Sequence, residues 1–464
     1  MFDLAQESFA KQGDSFFLEG NRFVLIVSEA LWEKRYKDIQ KKKWFLFSKR
    51  QKALRALVAQ LQPPASFSLT RDLPNEAVLL TNQTTVTLSN IEISVELFLV
   101  LLETTRVTVG ENFFIGEHND NEDCIRENGM MGETPVYLGR SWVLSSLALE
   151  NIERMAPNSI GCVLEKFNLS DTGLINILPK LRIHGDCEIE VFCLSADEKE
   201  HVAEVLAQET PFCVGRVKEM WLTDYAVGFI TKMSPEDCEI EYLRLFASKE
   251  AHVAGILKQE NPFCVGRVKK MWLRDYAVGV ITKMNLKDYG VEDLRLYARE
   301  EAHVAGILKQ ENPFCVGRVK SMDLEDYAVC VITKMSLKDC EIEWLVLDAS
   351  EEAAHVAEVL AQESPFCVGR VKKMKLTGYA ASVITKMTIH EDNTMERFVL
   401  AGNEDQLSRI LKEGDNSIDL GRIRTGGLQV PERIKRKLRY TLVDGEGKEV
   451  LEEEEPSQRG NLLE

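Results

Sequence analysis

Apolar residues through the middle of the chain follow two alternating periods. In Ile240-Glu241-Tyr242-Leu243-Arg244-Leu245-Phe246 they alternate with other residues, which predicts a strand with one buried face. Lys249 to Gln259 then places Ala251, Ala254 and Leu257 at helical spacing, and Asn261-Pro262 closes that helix. Val268 to Leu273 alternates again, and Ala277 to Met284 reads as a short helical turn. A segment this small cannot cover one face of each element by itself, so it must stack on copies of itself.

The copies are present. Pro-Phe-Cys-Val-Gly-Arg begins at Pro211, Pro262, Pro313 and Pro365, at spacings of 51, 51 and 52. His-Val-Ala recurs at His201, His252, His303 and His355, and Ile-Thr-Lys-Met at Ile230, Ile281, Ile332 and Ile384. Four repeats follow: Cys187 to Asp237, Cys238 to Asp288, Tyr289 to Asp339 and Cys340 to Asp392. The first three each divide into halves of 28 and 23 residues, and the last copy is slightly longer.

The strand pattern Ile240, Leu243, Leu245, repeated as Val268, Met271, Leu273 with Val278 at the next apolar position, resembles the leucine-rich repeat family. Weaker matches, such as Phe167, Leu169 and Asp171 upstream and Met395, Phe398 and Leu400 downstream, extend the resemblance over roughly Thr85 to Arg424. It implies an α/β solenoid, with a curved parallel sheet on the concave face, helices outside and a non-repeat N-terminal cap. The expected divisions are a helical, basic cap over 1–80, degenerate repeats over 81–186 and the four repeats over 187–392. A degenerate repeat with a C-terminal cap over 393–440, then a hairpin and acidic tail over 441–464, complete the chain. A tandem array of separate βαβα modules is the rival architecture. Where the family places Asn or Cys after the strand, this chain has Tyr225, Tyr276, Tyr327 and Tyr379 in one half and Ser248 or Arg299 in the other. How the corner backbone groups are satisfied is therefore left open.

Recurring His and Cys invite a chemical reading that geometry opposes. Equivalent residues on a shared parallel sheet lie two strand spacings apart, about 10 Å. That exceeds the roughly 7 Å reach of a disulfide and cannot bring His252 and His303 onto one metal. Both ladders read as packing, and neither a metal nor a cofactor is expected. The arginines after each glycine, Arg216, Arg267, Arg318 and Arg370, could form a cationic stripe, or could bond loop carbonyls or acids such as Asp224 and Asp275. Their regular placement favours the second role.

The positions that vary are more telling. The two most similar repeats, Cys238 to Asp288 and Tyr289 to Asp339, differ at 12 of 51 positions. Strand residues lying between the buried ones should face outward. Five of the six outward pairs differ: Tyr242, Phe246, Lys270, Trp272 and Arg274 become Asp293, Tyr297, Ser321, Asp323 and Glu325, while Arg244 is matched by Arg295. Drift on a solvated surface predicts small or charged residues there. Instead the face collects Trp221, Tyr242, Phe246, Trp272, Tyr297 and Trp344 with Arg244, Arg274 and Arg295. Aromatics with arginine are the composition of binding surfaces, and the charge change along the array would select a partner of opposite polarity.

A net charge of −17 argues against broad nucleic-acid binding. Four of the 11 cysteines share one repeat phase, which suits reduced thiols. Met1 to Gly20 shows no basic start followed by an apolar run, and Ile93 to Leu102 is too short to cross a bilayer. A soluble, cytoplasmic monomer is expected. Leu31 to Val58 has ten bases against two acids, and Lys41, Lys42, Lys43, Lys49 and Arg50 bracket Trp44 to Phe47. Such a segment suits an anionic membrane surface or an acidic partner, or is simply the solvated face of a cap. No phosphate loop, metalloprotease motif or nucleophile elbow occurs in the sequence. The leading expectation is a non-enzymatic scaffold holding a protein on its repeat face. Membrane recruitment through the basic segment, and regulation of a GTPase as in Ran GTPase-activating proteins that share the fold, are the alternatives.

Overall fold

The structure, a computed structural model, describes residues 9–450 except 21, 29, 32–54, 118–122, 128–134, 141–143, 184–186, 212–213, 235–237 and 287–289. The chain divides into two compact bodies, Met1–Ile240 and Glu241–Glu464.

The first body opens with an antiparallel sheet of Ala10–Gln12, Ser15–Gly20, Phe23–Ser28 and Val78–Thr81. Phe23–Ser28 is buried at all six positions, in keeping with the unbroken apolar run Phe23 to Val27. Leu18, Phe23, Leu25 and Val27 pack with Val58 from the short helical segment 55–58. The described part of the expected helical cap is thus mainly β. The basic-aromatic residues Lys41, Lys42, Lys43, Trp44, Lys49 and Arg50 lie outside the described residues.

Parallel pairing begins before the obvious repeats. Ser66–Leu69, Thr85–Leu88 and Arg106–Val109 form one ladder, and Ile91–Ser94, Phe113–Gly116, Ile160–Cys162 and Leu181–Ile183 another. Helices Val95–Thr104 and Ser146–Arg154 start at Ser94 and Ser145, whose hydroxyls accept from Leu97 N and Ala148 N. A third ladder joins β1 (Val136–Arg140), β2 (Leu164–Ser170), β3 (Glu188–Ala196) and β4 (Arg216–Asp224), all parallel.

The second body continues the pattern with β5 (Glu239–Ala247, from Glu241 onward), β6 (Arg267–Asp275), β7 (Val291–Ala298), β8 (Val319–Asp326), β9 (Glu341–Ala349), β10 (Arg370–Gly378), β11 (Arg397–Ala401) and β12 (Leu428–Gln429). Register carries the sequence pattern into space. Met271, Leu294, Met322, Leu345, Met374 and Phe398 form one row across the strands, and Leu273, Leu296, Leu324, Leu347, Leu376 and Leu400 the next. Both rows are buried. A repeated parallel sheet therefore replaces the rival of separate modules.

Between strands the two halves differ as expected. The longer carries an α-helix, Glu250–Leu257 in the second repeat; the shorter carries a 3-10 turn, Tyr276–Lys283. The 3-10 geometry advances about 2 Å per residue against 1.5 Å in an α-helix, which suits a half five residues shorter.

Corner chemistry resolves the departures noted in the sequence. The lysine of Ile-Thr-Lys-Met reaches back to the end of the preceding helix: Lys232, Lys283 and Lys334 Nζ each donate to the carbonyls of Gln208, Gln259 and Gln310 at 2.7 Å. Thr231, Thr282 and Thr333 Oγ1 donate to carbonyls three residues earlier at 2.9 Å. In the degenerate region, buried Asn151 plays the equivalent part, donating to Leu102 and Thr105 carbonyls and accepting from Val107 N. At the C-terminus the expected hairpin forms, with Val450 N donating to Leu442 O across the Asp444–Gly447 turn.

Leu296→Ala should cost about 2–5 kcal/mol by opening a cavity in the buried row, whereas Tyr297→Ala, one position away on the other face, should cost far less. Lys283→Met should cost about 1.5–3 kcal/mol, because a helix-end carbonyl loses a charged donor. Urea unfolding followed by circular dichroism measures all three.

Candidate protein-binding face

Each residue of the predicted face lies on the outward side of its strand. In the second body Tyr242, Arg244, Phe246, Trp272, Arg274 and Tyr297 are half-buried, and Arg295 and Trp344 are exposed. In the first body Trp221 is half-buried on β4, paired with Cys193 of β3. None has been drawn into the interior.

The half-burial has a specific cause. The Arg244 guanidinium lies 4.4 Å from the Trp272 ring centre and 5.3 Å from that of Tyr242, whose hydroxyl accepts from it at 3.2 Å. The Arg274 guanidinium lies 5.3 Å from both Phe246 and Tyr297. Neighbouring strands thus interdigitate two cations with four rings. Each stacked cation gains about 0.5–2 kcal/mol, and the stacking covers the Nε end of each guanidinium while leaving the residue half-exposed.

Charge then changes across the sheet. Asp293, Asp323, Glu325 and Asp348 follow on β7, β8 and β9. Arg295 Nε approaches Asp293 Oδ1 at 3.6 Å. Burial, reinforced by neighbouring carboxylates, pushes the Asp323 and Glu325 carboxyls above their ordinary values, although Arg295 opposes this at both. Beyond Trp344, β10 and β11 present Lys373, Lys375 and Arg397, with Lys373 Nζ 5.8 Å from the Trp344 ring centre. Comparing only the two most similar repeats missed this third sector. Its signal was available, since all three cations occupy outward phases of the alternating pattern.

Some of the recurring corner residues are packed inside the fold. Asp275 is buried at φ +54°, where it accepts from Arg299 NH2 at 2.9 Å. His303 and His355 are buried edge-on against Tyr276 and Tyr327, at ring-centre distances of 4.5 and 4.6 Å. Burial holds His303 below its ordinary value, in keeping with a neutral ring whose Nδ1 accepts from Glu300 N at 3.3 Å. Two of the arginines after each glycine pair with acids, Arg216 with Glu239 and Arg370 with Asp392, both at the surface. Two of the repeat cysteines cap their own loops, Cys315 and Cys367 Sγ accepting from Gly317 and Gly369 N at 3.4 Å. Asp171, Asp197 and His201 bring three ligand atoms within 4.8 Å of one another, but both carboxylates are solvent-exposed.

No helix among the described residues is long and apolar enough to cross a membrane. Asp323 supplies a pH test. Its carboxyl binds its proton more tightly folded than unfolded, so stability falls as pH rises from the ordinary carboxylate value through the raised one. Asp323→Asn should flatten that segment of the stability–pH curve and leave the variant more stable than the native chain at pH 7, with no such advantage below pH 3, as thermal melts across pH would show. No family model, curated protein or solved structure matches the chain.

Proposed function

We propose that the chain is a non-enzymatic repeat scaffold of the leucine-rich kind, holding a protein partner on the outward face of its parallel sheet. One observation carries this reading: Arg244 and Arg274 are each held between two aromatic rings, on strand positions that the fold does not need to bury. Residues freed from packing drift toward small polar types, and exposed aromatics lower solubility. Their retention as an ordered cluster is the mark of a surface that gains energy by contact. Tryptophan and arginine are the residue types from which interface hot spots are most often built. Pre-stacking also lowers the side-chain entropy lost when a partner arrives.

The family resemblance adds to this reading through its strand motif and its alternation of short coils. The closed set of internal contacts at the His, Tyr and Lys ladders leaves those residues occupied with holding one coil to the next.

Affinity capture from native lysate, comparing the native chain with Trp272→Ala/Arg274→Ala and with Arg318→Ala as a surface control, tests the proposal. The double variant should lose captured partners, with affinity reduced about 30-fold or more, equivalent to about 2 kcal/mol. The control should retain them. Equal capture by all three chains would remove this face as the binding surface.

A further inference from the structure

The basic sector beyond Trp344 encloses a pocket of about 240 Å³, lined by Trp344, Lys373, Met374, Lys375, Arg397 and Val399. Lys375 lines it and is flanked on the adjoining strands by Val346 and Val399. Neither flanking residue carries a charge, and the carboxylate that Lys375 acts on is Asp323, two strands away in the same row, whose ionised form it favours. The other two cations are partly engaged. Lys373 Nζ lies 3.7 Å from Glu396 Oε2, and Arg397 NH2 donates to Gln429 Oε1 at 2.8 Å. The pocket therefore offers an ammonium against an aromatic wall, with the carboxylate it acts on two strands away.

What surrounds it narrows the ligand. Asp323 and Glu325 stand on β8, two strands from Lys375 on β10, with Asp348 between them on β9. Two strand spacings are about 10 Å. A nucleic acid or an anionic membrane laid over the pocket would bring further phosphates against those carboxylates and be repelled. A short carboxylate cluster followed by bases meets both sectors with opposite charge. An extended peptide crossing the strands advances about 3.3 Å per residue, so about three residues span the gap.

We propose that the Trp344–Lys375–Arg397 pocket receives the carboxylates of an extended partner segment whose basic residues, about three positions further on, rest on Asp323, Glu325 and Asp348. This rests on the reading that the face holds a protein, and it specifies the partner's chemistry. Trp344 packs the aliphatic part of the segment between the two charge contacts. The stacked arginines on β5 and β6 stand beyond the acidic sector and extend the same charge alternation.

A fluorescein-labelled peptide with two glutamates and, three residues on, two lysines tests the proposal by anisotropy titration of the full chain. Saturable binding is expected, weakening as salt is raised. Lys375→Glu should weaken it about tenfold or more, and Lys375→Gln by a smaller factor in the same direction. A peptide with all four charges glutamate should bind more weakly than the bipolar one. Absence of saturable binding, indifference to Lys375→Glu, or equal or tighter binding of the all-glutamate peptide would overturn the proposal. If the peptide fails while Trp272→Ala/Arg274→Ala still abolishes capture of a partner, only the pocket assignment falls and the wider reading stands.

Discussion

A half-repeat of 23 or 28 residues has one apolar side and no second layer of its own, so its stability depends on the coil beside it. The row Leu273, Leu296, Leu324, Leu347, Leu376, Leu400 shows how that dependence is met, with each leucine packed in register against the next strand's leucine. Parallel pairing fixes the register, because a slip of one residue would send the whole set to the solvent side. Everything else follows from holding these rows together. Alternate positions must be apolar, the corners must satisfy their carbonyls, and the positions in between are released from both duties.

The corners illustrate how strictly the second condition is met. A 3-10 turn leaves the preceding helix with unpaired carbonyls, and an unpaired buried carbonyl costs more than a hydrogen bond gains. Lysine solves this from the neighbouring coil, since its long stem crosses the gap and its ammonium donates at 2.7 Å in three successive copies. One interaction thereby closes a helix end and ties one coil to its predecessor. Asp275 with Arg299, and His303 with Tyr276, occupy the same corner on the other side. Recurrence of these residues reflects structural duty, and their chemistry is spent inside the fold.

The strand rows, the α and 3-10 segments and the outward side of each strand were legible in the sequence, because each depends on a local period that four near-identical copies display four times. Other features depend on which side chains meet across strands, and no local period carries that. The pairing of Arg244 with Trp272 joins residues 28 apart, and that of Arg274 with Tyr297 joins residues 23 apart. Only the two half-repeat lengths, read together with the register, bring them together. The capping role of Lys283 was hidden for the same reason, since its partner Gln259 lies 24 residues earlier. The β-rich N-terminal region escaped the helical expectation because the strand Phe23–Ser28 is apolar from Phe23 to Val27 and therefore has no alternation to read.

The released positions show how one repeated core can carry different outward faces. Duplication copies the outward residues along with the core, so a new repeat begins with the same face as its parent. Any change there leaves the buried rows intact, and the cost to stability is small compared with a core substitution. Trp272 and Asp323 occupy equivalent places in adjacent repeats, yet the strands carrying them keep one register and one buried row. A ring that clamps arginine and a carboxylate that repels its neighbours are thus interchangeable to the fold. The sequence of sectors across the sheet, stacked arginines, then acids, then lysines beside Trp344, can therefore differ from strand to strand while the buried rows that present it stay the same.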